Sequence, residues 1–328
     1  MFAVLRRFAL PALLLAWSAH APGQELKAIS IATSSASIPA AAARLAKELG
    51  LFEKRGLKAT VTPMDSGSVA TAGLMSGSVD FVTSGPTDVI FAQGRGQKIV
   101  ALTNGYRGFA ATLVISKAIA EKAKVAPNAP INERLKLLDG LTIGSPSATS
   151  TFTVAVKSAA ASVGAKVNFV YMAQPAMTAA FQTGAIQGLT VSAPYYVAPV
   201  VNGTGVIWLA GPKGDFPGAS APANSVVLIA RADFAQAHPE LVKQVNAVFA
   251  DFWKAIDERP ADVKAAMARL WPDLDARTIN FVFDSEAPGF RAGALTAQDM
   301  AHELEFLKAG GVTLPQMDRL TPAGLMYP

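Results

Sequence analysis

The sequence predicts an α/β chain of two lobes built alike. Three observations carry that expectation: strand-like and helix-like segments alternate, a three-part pattern returns in the same order about 110 residues later, and two apolar runs flank the second copy. Residues 71–86 return as 178–194 with one residue inserted, 58–64 return as 166–172, and 30–37 return as 142–149. Strand alternating with helix indicates a largely parallel sheet. The repetition indicates two such sheets, although Ala, Gly, Ser and Thr are common enough here for chance similarity to compete. A chain of 328 residues is long enough for two domains, each with its own core.

The elements follow in order. Residues 26–32 alternate as a short strand. A helix is expected over 39–49: Pro39 suits a first turn, Ala41, Leu45 and Leu49 share a face, and Gly50 stops it. Residues 57–63 form a second strand. Ser66, Gly67 and Ser68 open a helix to about Met75, which Gly77 ends, and 79–82 and 99–102 are buried-type strands. Runs 111–115 and 225–230 read as paired crossing strands, a two-stranded hinge. Between them lie strand 141–143, helix 151–162, strand 167–172, helix 176–182 and strand 186–191. Loop 211–224 is long for a structureless connection, and such loops are often functional. Its Phe216 either closes over a ligand or anchors the loop. The rest is helical, over 239–257, 260–270, 275–283 and 296–308, with Thr296 as N-cap.

The N-terminus reads as an export signal. Arg6 and Arg7 precede an apolar stretch over 8–17, about ten residues against the roughly 20 that span a bilayer. Small residues follow at Ala19, Ala21 and Gly23, so residues 1–23 are set apart as a signal peptide cleaved near 21–24; an uncleaved anchor is the competing reading. The absence of cysteine excludes disulfides, thiolate metal sites, a cysteine nucleophile and a lipid anchor on an N-terminal cysteine. The expected location is the periplasm, with no membrane-spanning segment.

Hydrophobic residues make up 51% and charged residues 16%, which argues against disorder and against a coiled coil. Loss of the two leader arginines takes the net charge from +5 to +3, with no Lys/Arg run, so nucleic acid is not an expected partner. Catalysis finds little support. No HExxH, GxSxG, Walker or GxGxxG motif occurs. His238 and His302 read as capping or surface residues, Asp273 and Asp275 as a helix start, and Glu303 and Glu305 as an exposed helix face. No cofactor or metal is expected.

Binding is better supported. Five polar loops, at 33–37, 65–68, 83–87, 145–151 and 192–196, follow strands or open helices. Ligands of open α/β sheets bind beyond the carboxyl ends of the strands, where helix N-termini offer unpaired N–H groups that favour an anion. Taken singly these Ser and Thr residues are ordinary N-caps; as a set at equivalent ends of two lobes they outline a cleft. Arg107, just after a strand, either pairs with an anionic head group or is a surface residue. Tyr106, Tyr195 and Tyr196 offer an apolar wall for the ligand body.

Residues 48–57 (ELGLFEKRGL), then Ser66, Gly67 and Ser68, then 74–81 (LMSGSVDF), and later 237–242 (AHPELV), resemble the nitrate/sulfonate/taurine-type periplasmic solute-binding proteins of ABC importers. That grouping includes thiamine-precursor binders. The resemblance spans roughly 28–285. It implies a type II periplasmic-binding-protein fold with ligand held in the cleft. Matching loops places ligand contacts at Ser34 and Ser35; at Ser66, Gly67 and Ser68; at Ser84, Gly85 and Thr87; at Ser147, Thr149, Ser150 and Thr151; and at Ser192 and Tyr195. Many members carry an acidic or tryptophan-containing turn where this chain has Val191, Ser192, Ala193 and Pro194, which argues against an amine-bearing ligand such as taurine. A pyrimidine synthase of related fold relies on cysteine, which this chain lacks.

The sequence therefore reads as a monomeric, non-enzymatic receptor that closes on a small anionic solute. The solute would be a sulfonate, a nitrate-like oxyanion or a small aromatic carboxylate. The expected lobes are 24–114 with 226–328, and 115–225; the expected partners are the permease and ATPase of an ABC transporter. A periplasmic enzyme and a ligand sensor on the same scaffold are the alternatives.

Overall fold

The computed structural model describes residues 25–217 and 222–328. The expected signal peptide and its cleavage site lie outside these residues, as does the middle of loop 211–224. The first part of the chain runs β1 (Lys27–Thr33), a 3-10 turn (Pro39–Ala41), α1 (Ala42–Glu48), β2 (Leu57–Pro63), α2 (Gly67–Ser76), β3 (Phe81–Ser84), α3 (Pro86–Gly94) and β4 (Ile99–Arg107). The chain then crosses into β5 (Thr112–Ser116), α4 (Lys117–Ala123), α5 (Ile131–Lys136), β6 (Thr142–Ser145), α6 (Thr151–Ala161), β7 (Asn168–Tyr171), α7 (Gln174–Gln182), β8 (Gly188–Val191), α8 (Val197–Val201) and β9 (Gly205–Ala210). It returns as β10 (Asn224–Arg231) and ends in α9 (Ala232–Ala237), α10 (Pro239–Glu258), α11 (Pro260–Leu270), α12 (Ala276–Phe290) and α13 (Ala297–Ala309).

These strands form two five-stranded sheets of the same plan, β2-β1-β3-β10-β4 and β7-β6-β8-β5-β9. In each, three parallel strands are followed by an antiparallel one that arrives from a crossing. The three repeated segments fall on β1, β2 and α2–β3 in one sheet and on β6, β7 and α7–β8 in the other. The hinge expectation needs correction at one point. The apolar runs 111–115 and 225–230 do not pair with each other: β5 lies between β8 and β9, and β10 between β3 and β4. What lies side by side are the crossings just before them. Gly108 N donates to Ala223 O at 2.8 Å, and Ser225 Oγ donates to Gly108 O at 2.7 Å.

The strands bury both faces, as sheets covered by helices on each side do. Along β10, Val226, Leu228 and Ala230 enter a core with Phe249, Phe252 and Phe290, while Val227 and Ile229 enter the opposite core with Val89, Ile90 and Phe306. The first face is covered by α1, α10, α11 and α12, whose apolar positions recur at the helical period. The second core continues into the other lobe through Phe109 and Phe216. Phe216 is buried edge-to-face on Phe109, ring centroids 4.9 Å apart, so it anchors its loop.

Two departures from the sequence pattern have local causes. Helix α3 was not anticipated, because eight of its nine residues are buried and it shows no one-sided stripe. Strand β3 starts at Phe81 instead of Val79, since Asp80 is tied to β1 by its side chain: it accepts from Ser30 N and from Ser30 Oγ, both at 2.8 Å.

Candidate functional site

The carboxyl ends of β1, β3, β6 and β8 open onto one cavity between the sheets, to which all five polar loops contribute. Ser34 and Ser35 come from the first, Gly67 from the second, Ser84 and Gly85 from the third, Ser150 and Thr151 from the fourth, and Ser192 from the fifth. The space open to water centres is about 50 Å³. That is room for on the order of three to five waters, or for one small head group.

Several of these residues are placed by helix starts. Ser66 caps α2, accepting from Val69 N at 3.3 Å, and Ser150 caps α6, accepting from Phe152 N at 3.2 Å. Gly85 is the N-cap of α3, and a Cβ there would stand 2.8 Å from Thr151 Oγ1 of the other lobe, so a larger residue would make that hydroxyl move. The lobes are joined across the cavity by hydrogen bonds. Thr87 Oγ1 lies 2.9 Å from Thr151 Oγ1 and donates to Thr149 O at 3.2 Å, and Ile38 N donates to Ala193 O at 2.8 Å. The cleft is closed in this structure.

The remaining expected residues lie off the cavity wall. Ser66 and Ser68 bond to each other at 3.0 Å. Ser147 and Thr149 bond within their own loop at 3.3 Å, and Thr87 serves the junction between the lobes. Tyr195 packs in the second lobe beside Thr178, which donates to its carbonyl. Arg107 is corrected outright. Its guanidinium is taken up by Asp299 at 2.8 and 3.1 Å and by the carbonyls of Ala292 and Ala294, so it braces the C-terminal segment and does not face the cavity. Tyr106 and Tyr196 form no wall either: Tyr106 is buried and donates to Glu286 Oε2 at 2.5 Å, and Tyr196 packs against the cores. Glu303, expected on an exposed face, is 0% exposed, and its Oε1 accepts from Asn224 N at 2.9 Å. The return crossing covers it, and burial pushes its carboxyl up to about 8.

Three polar residues on the wall were not singled out in the sequence: Ser225 at the crossing, Asp88 and Gln174. Asp88, in the first turn of α3, is 6% exposed. Its Oδ2 accepts from Ser84 Oγ and its Oδ1 from Thr149 Oγ1 of the opposite lobe at 3.3 Å. Burial raises its carboxyl to about 6, while the hydroxyls of Ser84 and Thr149 pull the other way. Gln174, 4% exposed, opens α7. Its Oε1 accepts from Ser192 N at 2.8 Å and from Ser192 Oγ at 3.2 Å, which fixes the amide and leaves its NH2 without a protein partner. The repeat could have found Gln174: continuing the register of 58–64 on 166–172 sets it opposite Ser66. The turn over 191–194 indeed offers no carboxylate, but Asp88 supplies one from the other lobe, which removes that argument against an amine-bearing ligand.

A model of the NMT1-like family matches residues 24–271. No curated protein matches the chain in sequence. Among solved structures, the alkanesulfonate-binding protein SsuA from Xanthomonas axonopodis pv. citri bound to MOPS has a TM-score of 0.73 at 18% identity, covering 92% of this chain and 99% of that one. The periplasmic aliphatic sulphonate binding protein SsuA from Escherichia coli has a TM-score of 0.65 at 20% identity, covering 90% and 97%. The periplasmic nitrate-binding protein NrtA from Synechocystis PCC 6803 has a TM-score of 0.66 at 15% identity, covering 90% and 86%. At these identities the likeness is one of fold.

Proposed function

The chain belongs to the NMT1-like family, and from that premise we propose that it is the exported, periplasmic substrate-binding component of an ABC importer. The single observation that carries this reading is the closed cavity: loops of both lobes wall it, and Thr87 bonds across it to Thr149 and Thr151. A site assembled from two halves binds tightly only when shut, so a ligand shifts the population toward closure. The mobile units are taken as the two sheets with their helices, moving about the crossings at Gly108 and Ala223; the expected bounds at 114/115 and 225/226 cut β5 and β10 and move to those crossings. The closed shape would then be read by a permease and its ATPase. That the neighbours named above are solute-binding proteins supports a non-enzymatic role.

The solute carries an acceptor group, of the sulfonate, nitrate-like or carboxylate kind. The free amide NH2 of Gln174 and the start of α7, which has no side-chain cap, are the donors that favour it. A thermal-shift series with alkanesulfonates, nitrate and small carboxylates tests the reading on the chain from residue 24. A ligand at 100 times its Kd stabilises by about 2.7 kcal/mol, a shift of a few degrees, which Gln174→Leu should abolish. A panel without any shift would remove the proposed ligand class.

A further inference from the structure

Resting on that reading, we infer that Asp88 selects the solute: the cleft takes a small bipolar molecule that brings a protonated nitrogen to Asp88 and an oxygen acceptor to Gln174, in preference to a bare oxyanion. The two walls differ in kind. On the wall of the first lobe, beside the hydroxyl of Ser34, the charged group with spare capacity is a carboxylate. Each of its oxygens accepts one hydroxyl, from Ser84 and from Thr149, and an ionised carboxyl has about four acceptor positions. On the wall of the second lobe the polar group with spare capacity is the amide NH2 of Gln174, which has no protein partner. A bipolar solute matches the carboxylate of the first wall and the amide of the second; a bare oxyanion leaves the carboxylate unmatched.

The helix starts on the first wall already face an anion, and the protein supplies it. Asp88 sits in the first turn of α3 and lies so close to Gly67, the first residue of α2, that a Cβ at Gly67 would overlap its Oδ2. The positive ends of two helices are therefore directed to a fixed carboxylate. Among the described residues lining the cavity there is no Lys, Arg or His. Arg44, a turn beyond the lining residue Ala40, is engaged elsewhere: its Nη1 donates to Ala36 O at 3.1 Å and its guanidinium lies 5.0 Å over the Trp271 ring. A bare oxyanion shut in beside Asp88 would put two negative charges into about 50 Å³ with no cation, an arrangement that low-dielectric surroundings strongly oppose.

The groups facing Asp88 are Gly67 from α2, Ser84 from the end of β3 and Thr149 from the second lobe, none of them titratable. Glu286 and Glu303, the other carboxyls raised into this range, lie off the cavity wall, so the contrast within a matched pair across a pH series reads Asp88. Burial raises its carboxyl to about 6, and it is the anionic form that attracts a protonated nitrogen.

The test uses matched pairs that differ by one ammonium group at both pH values used: 2-aminoethanesulfonate against ethanesulfonate, and glycine against acetate. Calorimetry at pH 7.5 should show the ammonium-bearing member of at least one pair binding at least about tenfold tighter, the scale of one charge-assisted hydrogen bond. Asp88→Asn should erase that preference. Should Asp88→Asn fail to fold, the wild-type chain still decides: going from pH 7.5 to 5 should weaken the ammonium-bearing member and strengthen the plain anion. Equal or tighter binding of the plain anion at pH 7.5 overturns the inference while leaving the receptor reading in place. No binding by any member at either pH overturns both.

Discussion

Thr87 and Thr151 meet hydroxyl to hydroxyl across the cleft, 2.9 Å apart though 64 residues separate them in sequence. Gly85 leaves room for Thr151, whose Oγ1 would stand 2.8 Å from a Cβ at that position.

Gly85→Val should hold the lobes apart. Small-angle scattering with saturating ligand should then show no contraction, and affinity should fall at least tenfold, a change of about 1.4 kcal/mol. Thr151→Val should be milder, losing about 0.5–1.5 kcal/mol of closed-state stability. A Gly85→Val chain that still closes and binds normally would show that the Thr87–Thr151 junction does not limit closure.

Removing the guanidinium of Arg107 should affect the fold and not the ligand. It chelates Asp299 and holds the carbonyls of Ala292 and Ala294, and a bidentate, partly exposed pair of this kind contributes about 1–2 kcal/mol. Arg107→Ala should lower the urea midpoint accordingly while ligand affinity stays constant. A large affinity loss at unchanged stability would return Arg107 to the site.

Tyr106→Phe should destabilise by about 1–3 kcal/mol, because the lost hydroxyl is the partner of Glu286 Oε2 in a buried setting. Chemical denaturation of the two chains at one pH measures the difference. A neutral result would mean that water takes the hydroxyl's place.

Stability should fall as pH rises from about 4.5 to about 8. Burial raises Glu303 to about 8, Glu286 to about 7 and Asp88 to about 6. In that window the folded chain holds protons that the unfolded chain has released. The stabilisation is complete below the ordinary carboxylate values and is lost as pH climbs through the raised ones. Each group contributes a slope of at most about 1.4 kcal/mol per pH unit. Asp299 and Asp275, held below their ordinary range, act only at lower pH. Melting temperatures at pH 5, 6.5 and 8 should therefore decline, and Glu303→Gln should flatten the decline. A melting temperature that climbs over this range would contradict the assignment.

What the sequence by itself determined is whatever depends on neighbours a few residues apart. The alternation along β1 and the unbroken apolar run of β10 marked strands, and the caps Ser66, Ser150, Asp275 and Thr296 act on N–H groups two or three residues on. The repeat predicted two sheets of one plan, because like patterns of strand and helix fold alike. Tertiary structure decided the rest, since burial and long-range partners leave no periodic trace. Asp88 carries no local signal, because α3 itself shows no one-sided stripe; it becomes a cavity wall through Thr149, 61 residues away. Arg107 reads as a free cation until Asp299 arrives from 192 residues on, and Glu303 reads as a solvent-facing helix residue until the return crossing covers it. The loops that meet at the site were legible because strand ends and helix starts are local. The charge balance inside it was not, because a buried charge is fixed by the groups folding brings around it.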